Sequence, residues 1–412
     1  MKIALLGYGK EGKSVEKYFK SHDNDTTFDI YENETPEVLH QRDYSSYDII
    51  FRSPSIPPLG LANESTITRY FFDHCPCPII GVTATKGKGT TCSFIKSLLD
   101  AHGEDVHLVG NIGVPALDVL DGLTENSVVV YELSSFQLWD LPVSPHIAVL
   151  GTLEPDHLNV HRDYTDYLDA KSHITAYQNA DDYLIYFRDN PETVKIAEKS
   201  EAHKIPYPFP VSEDILSHIS LLGEHNRYNA IAAIAAVASY LNISPDEYLR
   251  DYTDEISTGL AGFHGLPHRL ELVRELNGVR YYDDNFATNA SSLKVALEAT
   301  KSSPIVLILG GRDKTNNKDL PEIYEAINQE NIKSVILIGE SGHELAKLHG
   351  FDDERFILAE SLEEAISIAR EEAEKLTDSP IVLMSPAAAS FDMFHDVYDR
   401  GSKYQEIIKS LK

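Results

Sequence analysis

The run GVTATKGKGTT at residues 81–91 constrains this chain more than any other feature. An apolar stretch (Ile79, Ile80, Val82) leads into a loop with Gly87, Lys88 and Gly89. A helical pattern follows, with Phe94, Ile95, Leu98 and Leu99 on one face and Gly103 as the expected stop. Strand, glycine loop, lysine, hydroxyls and helix in that order make a phosphate cradle. Backbone N–H groups and the helix N-terminus face the anion, and Lys88 reaches the terminal phosphates. The expected phosphate loop is therefore Ala84, Thr85, Lys86, Gly87, Lys88, Gly89 and Thr90, with the hydroxyl of Thr90 or Thr91 directed to Mg²⁺. A bare strand-to-helix turn would not need the lysine and the hydroxyls in this order.

A loop of this kind sits at the carboxyl edge of a parallel sheet, and two later runs end on the same expected edge. SVVVYELSS (127–135) reads as a buried strand ending in Glu132, and HIAVLGTLEPDH (146–157) as another, followed by Asp156 and His157. Singly these are surface acids or a loop histidine; their placement after successive strands makes them candidate metal ligands. Strand-like runs alternate with helical ones almost throughout, the signature of an α/β fold. The alternation restarts three times, giving expected domains at 1–77, 78–265 and 266–412. With 412 residues, 42% of them hydrophobic, the chain has material for two or three cores and too much for one.

The N-terminal stretch carries a second glycine pattern. Gly7, Gly9 and Gly12 spell G-x-G-x-x-G after a strand, and Glu32 follows the next strand, as in NAD-binding proteins. Alone this suits a dehydrogenase. It explains neither the phosphate loop nor Glu132 and His157, so it is taken only as a site for a nucleotide diphosphate at a helix N-terminus.

Charge and cysteine content exclude other classes. A formal charge of −29 repels nucleic acid and anionic lipid from most of the surface. No stretch approaches the ~20 apolar residues needed to span a bilayer, and MKIALLGYGKEG lacks the pattern of a signal peptide. A soluble, cytoplasmic monomer with no nucleic acid partner and no membrane insertion is expected. Cys75, Cys77 and Cys92 are read as reduced thiols; Cys75 and Cys77 flank Pro76, with no further Cys or His cluster to complete a zinc site.

Nine blocks in order then carry a family resemblance: VGNIGVPALDVL (109–120), YELSSFQL (131–138), EPDHLNVH (154–161), DAKSHI (169–174), GEHNRYNAIAA (223–233), FHGLPHRLELV (263–273), DDNFATN (283–289), GGRDK (310–314) and SPAAASFDMF (385–394). In these the chain resembles the Mur ligase family, which also includes folylpolyglutamate synthase. The resemblance implies three domains: N-terminal Rossmann-like for the UDP end, a central P-loop ATPase with a mostly parallel sheet, and C-terminal Rossmann-like for the amino acid. It implies ATP-dependent ligation of D-glutamate to UDP-N-acetylmuramoyl-L-alanine through an acyl phosphate, in peptidoglycan precursor synthesis.

Residue by residue, the resemblance makes Lys88, His157 and Lys171 catalytic. It groups Asn111 with Thr90, Glu132, His157 and Lys171 around two Mg²⁺ ions, Lys171 bearing a CO₂-derived carbamate. An ammonium cannot ligate Mg²⁺; a carbamate can. Ser134 and Gln137 fall near the muramoyl group, and Gly9, Glu11, Gly12, Glu32, Ser53 and Ser55 along the UDP-linked substrate. Asn226, Asn229, Arg269 and Asp284 match residues that contact ATP; Thr288, Lys314 and Ser390 match those that contact the acceptor. The chain departs from the pattern at Ala84, at Gly89, at Val397, and at Phe286, where a lysine is expected. The alternatives are the same chemistry with another acceptor, a folylpolyglutamate-type ligase, and a non-catalytic nucleotide-binding protein.

Overall fold

A computed structural model describes residues 1–158, 160–313, 318–348 and 354–412. The first sheet comprises β1 (Lys2–Leu6), β2 (Thr27–Tyr31), β3 (Ile49–Arg52) and β4 (Glu64–Ser65). They run parallel in the order β2-β1-β3-β4. The second holds β5 (Ile79–Thr83), β6 (Asp105–Gly110), β7 (Ser127–Glu132), β8 (Ile147–Leu150), β9 (Tyr183–Phe187) and β10 (His203–Tyr207). These are also parallel, in the order β10-β9-β8-β5-β7-β6. Strands β5, β7 and β8 are buried along their whole length, as strands covered by helices on both faces must be.

The chain folds into two compact units, Met1–Ile219 with His225–Phe263, and Ser220–Glu224 with His264–Lys412. The first unit carries both parallel sheets, and a shared core accounts for that. Ile3, Leu5, Val15, Phe19 and Phe51 from the first sheet and its helix pack in one apolar cluster with Val109, Leu117, Val129 and Tyr131 from the second. Polar ties cross the same junction: Ser14 Oγ donates to Asp118 at 2.8 Å, and the buried Arg52 pairs with Glu64 and, at 2.6 Å, with Asp140. Burying that guanidinium is tolerable because both carboxylates and the Ile56 carbonyl accept from it.

The second unit has one sheet of β11 (Glu271–Leu276), β12 (Val279–Asp283), β13 (Ile305–Gly310), β14 (Ile332–Ile338), β15 (Phe356–Leu358) and β16 (Ile381–Met384), in the order β11-β12-β16-β13-β14-β15. It is parallel except for the β11–β12 hairpin at one edge. Apolar clusters fill both of its faces. Among the described residues no helix is long and apolar enough to cross a membrane.

Candidate active site

The phosphate loop follows β5, and the helix Lys88–Ala101 begins two residues earlier than a loop ending at Gly89 implies. Lys88 and Gly89 stand in its first turn; only Gly87 is outside, as a left-handed N-cap at φ 81°. A glycine at the cap leaves the first N–H groups of the helix without a side-chain partner and open to an anion. A Cβ on Gly87 would fall 2.6 Å from Asn229 Oδ1, so Asn229 packs directly on the loop. Asn229 also accepts from Thr91 Oγ1 at 3.3 Å and donates to Asn226 at 3.2 Å. Thr91 donates to Gly87 O as well, whereas Thr90 is half-buried beside it. Thr85 is held by Tyr167 OH at 2.8 Å and by the Glu154 backbone, and the exposed Lys86 lies 3.9 Å from Glu154.

Lys88 and Lys171 meet at the same carbonyl: Ala84 O accepts from Lys88 Nζ at 3.0 Å and from Lys171 Nζ at 2.9 Å. Lys171 projects from the helix Tyr164–Ser172, is 1% exposed, and also donates to Thr83 Oγ1 at 3.0 Å. Burial first, then the charge of Lys88, pushes its amine well below the ordinary lysine value; Asp156 and Glu132 oppose the shift. That shift favours a neutral, nucleophilic amine. Glu132 ends β7 almost wholly buried, with Asn111 Nδ2 3.3 Å from its Oε1 and Asn111 N bonded to its carbonyl. His157 lies on the loop after β8 in a left-handed conformation, φ 53°, its exposed ring against Phe136 and 3.5 Å from Asp156.

Lys88, Asn111, Asp156, His157, Tyr167 and Lys171 line one cleft, which continues to Ser134, Gln137, Glu11, Ser53 and Ser55. Ser134 and Gln137 form a capping box on the short helix Ser135–Leu138. Gln137 Nε2 donates to Glu11 Oε1 at 3.1 Å, while Glu11 Oε2 is buried with no partner among the described residues. Burial raises the Glu11 carboxyl to about 7, against the bond from Gln137 and the charge of Arg52. Gly7 has φ 88°, and a Cβ there would strike Ser53 Cβ at 2.8 Å, while one on Gly12 would lie 2.7 Å from Gly7 O. Gly9 caps the helix Lys10–His22, and Glu32 is exposed.

The other expected residues belong to the second unit. Arg269 is exposed, its guanidinium 5.4 Å over the Phe286 ring, which also packs on His268 and Tyr398. Asp284 accepts from Ser385 Oγ at 2.8 Å and Leu270 N at 3.2 Å; burial raises it to about 7. Thr288 is half-buried, and Ser390 is buried with Oγ unpartnered among the described residues. Lys314 lies outside the described residues.

Sequence alone did not single out Ser135, His161 and Asp166. His161 Nε2 lies 2.9 Å from Ser135 Oγ and Nδ1 3.1 Å from Asp166, itself held by Arg162 at 2.8 Å. His161 N also bonds to His157 O, so this buried chain fixes the turn that presents His157. The second histidine of EPDHLNVH was the available signal, but a strand-and-loop reading gives it no partner.

Comparison with known proteins adds independent findings. The Mur ligase middle domain model matches residues 82–237, and the Mur ligase glutamate ligase domain model residues 268–387. The chain is 33% identical over 408 residues to the UDP-N-acetylmuramoylalanine–D-glutamate ligase of Acetivibrio thermocellus, covering 89% of this chain and 83% of that one. It is 30% identical over 463 residues to the enzyme of the same name from Clostridium botulinum strain Okra, covering 100% and 97%. Among solved structures, the UDP-N-acetylmuramate–alanine ligase of Thermotoga maritima is similar in fold, with a TM-score of 0.61 at 17% identity over 100% of both chains.

Proposed function

The chain belongs to the Mur ligase family, and on that premise we propose that it joins D-glutamate to UDP-N-acetylmuramoyl-L-alanine at the expense of ATP. The observation that carries the reading is the convergence of Lys88 of the phosphate loop, Lys171, Asn111 and His157 on one cleft that runs on to Glu11, Ser53 and Ser55. A dehydrogenase would leave the first half of that cleft without a purpose.

We read the three sheets as a Rossmann-like domain for the UDP end, a P-loop ATPase domain and a Rossmann-like domain for the acceptor. The L-alanyl carboxylate attacks the γ-phosphate, giving an acyl phosphate and ADP; the acceptor amine then attacks the carbonyl, and phosphate leaves. Residues 84–90 hold the phosphates, Lys88 offsetting charge that grows on the transferred group. Asn226 and Asn229 brace the loop. Arg269 and Asp284 complete the nucleotide set, and Thr288, Lys314 and Ser390 bind the acceptor. Gly9, Glu11, Gly12, Glu32, Ser53, Ser55, Ser134 and Gln137 orient the UDP-linked substrate.

The donor set suits Mg²⁺: an almost buried carboxylate, an imidazole, a hydroxyl and an amine kept neutral enough to take up CO₂. Thr90, Glu132, His157 and carbamylated Lys171 would hold two ions beside Asn111, and bound Mg²⁺ supplies charge neutralisation at the phosphates.

Release of ADP from ATP and UDP-N-acetylmuramoyl-L-alanine, measured against a panel of amino acids, tests the reading. D-Glutamate should support turnover. The aromatic packing of Phe286, where an ammonium is expected, favours one second reading, a different acceptor amino acid. Turnover with another amino acid alone establishes it, and ATP binding without substrate-dependent ADP release refutes both.

A further inference from the structure

Cys75 and Cys77 flank Pro76 in the connector between the helix Ile67–His74 and β5. Their sulfurs lie 3.6 Å apart, and Cys75 Sγ also approaches the Cys77 carbonyl at 3.5 Å. Both thiols are free and half-buried, against an exposed Pro76. Three features hold them face to face. Cys75 terminates the helix, its N–H bonded to Phe71 O at 2.8 Å. The ring of Pro76 fixes its own φ and narrows the conformations of the residue before it. Both cysteines also pack on the apolar cluster shared by the two sheets of the first unit. The third cysteine is different: Cys92 is fully buried within the helix Lys88–Ala101.

We propose that Cys75 and Cys77 are a reversible modification site, a dithiol that a low-molecular-weight disulfide converts to an intramolecular Cys75–Cys77 disulfide. The geometry is independent of the ligase reading. The Cys75 thiolate attacks one sulfur of the reagent and expels the other half as a thiol. The Cys77 thiolate then attacks the Cys75 sulfur of that mixed disulfide and expels the second half. Two electrons and two protons pass from the protein dithiol to the reagent, which leaves as two thiols. The bond needs sulfurs ~2.05 Å apart, a distance within reach of side-chain rotation from a contact this close. The facing sulfur lowers the Cys75 thiol below its ordinary value, in keeping with a first attack from Cys75. Burial raises Cys92, which keeps it a protonated spectator.

The test uses the full reduced chain, oxidised glutathione in the absence of oxygen, alkylation of remaining thiols and peptide mass mapping. Wild-type protein should lose Cys75 and Cys77 together, keep Cys92, and carry glutathione on less than roughly a tenth of the product, since an intramolecular thiol outcompetes one at millimolar concentration. A dithiol reductant should restore both thiols. Cys75→Ser and Cys77→Ser should each stop at glutathione bound to the remaining cysteine. The proposal fails if wild-type protein keeps both thiols, retains glutathione on either, or cross-links chain to chain.

Discussion

At the scale of single residues, Lys171 and Glu11 show what burial does to an ionisable group. Lys171 combines three roles that exposed lysines do not: it braces Ala84 and Thr83, faces the second lysine of the site, and holds its amine toward the neutral form. Lys171→Ala is expected to lower ligation by about a hundredfold or more while nucleotide affinity changes little. Parallel ADP-release and nucleotide-titration measurements check it, and near-normal turnover would remove the carbamate from the mechanism. Glu11 gives a stability signal of defined sign. Its carboxyl keeps a proton to about 7 in the folded chain, against 4.5 ordinarily. Between those values the folded state binds more protons than the unfolded one. This contribution is therefore full below 4.5 and disappears as pH rises through about 7. Relative to Glu11→Gln, wild-type protein should lose about 1–2 kcal/mol between roughly pH 5 and pH 8, a figure reduced because the carboxyl borders an open cleft. Urea midpoints for both proteins at each pH decide it; parallel trends would remove Glu11 as the source.

At the scale of elements, the decisive unit is β5, its loop and the helix Lys88–Ala101. Its order was legible from residues 79–99, because apolar spacing and glycine placement are local properties. What braces it was not. Asn229 touches Gly87 from a helix more than a hundred positions away, and Tyr167 holds Thr85 from a second helix, 82 positions on. Gly87→Ala makes the consequence measurable. The left-handed φ costs a non-glycine residue about 1–2 kcal/mol, and the new Cβ would displace Asn229. Reduced stability and weaker nucleotide binding should appear together, read by urea melts and nucleotide titration. Unchanged affinity would mean that Asn229 does not shape the loop. The β11–β12 hairpin was likewise not singled out in the sequence, where the charged Arg280 interrupts the short run Val279–Asp283.

At the scale of the whole molecule, two compact units with separate cores should unfold separately. Trp139, the single tryptophan, packs against His161 in the first unit and reports that unit alone. Denaturation followed by its fluorescence should diverge from far-UV circular dichroism, which sees both; coincident curves would show one cooperative unit instead. Sequence by itself determined the α/β class, the phosphate loop and the blocks that mark the family, all of which are periodicities or short motifs written along the chain. Tertiary structure decided that the first two sheets share one core and that Ser135, His161 and Asp166 fix the turn bearing His157. It also decided which lysine is buried and which carboxyl keeps its proton. Those outcomes depend on desolvation and on partners distant in sequence, and neither quantity exists until the chain has packed.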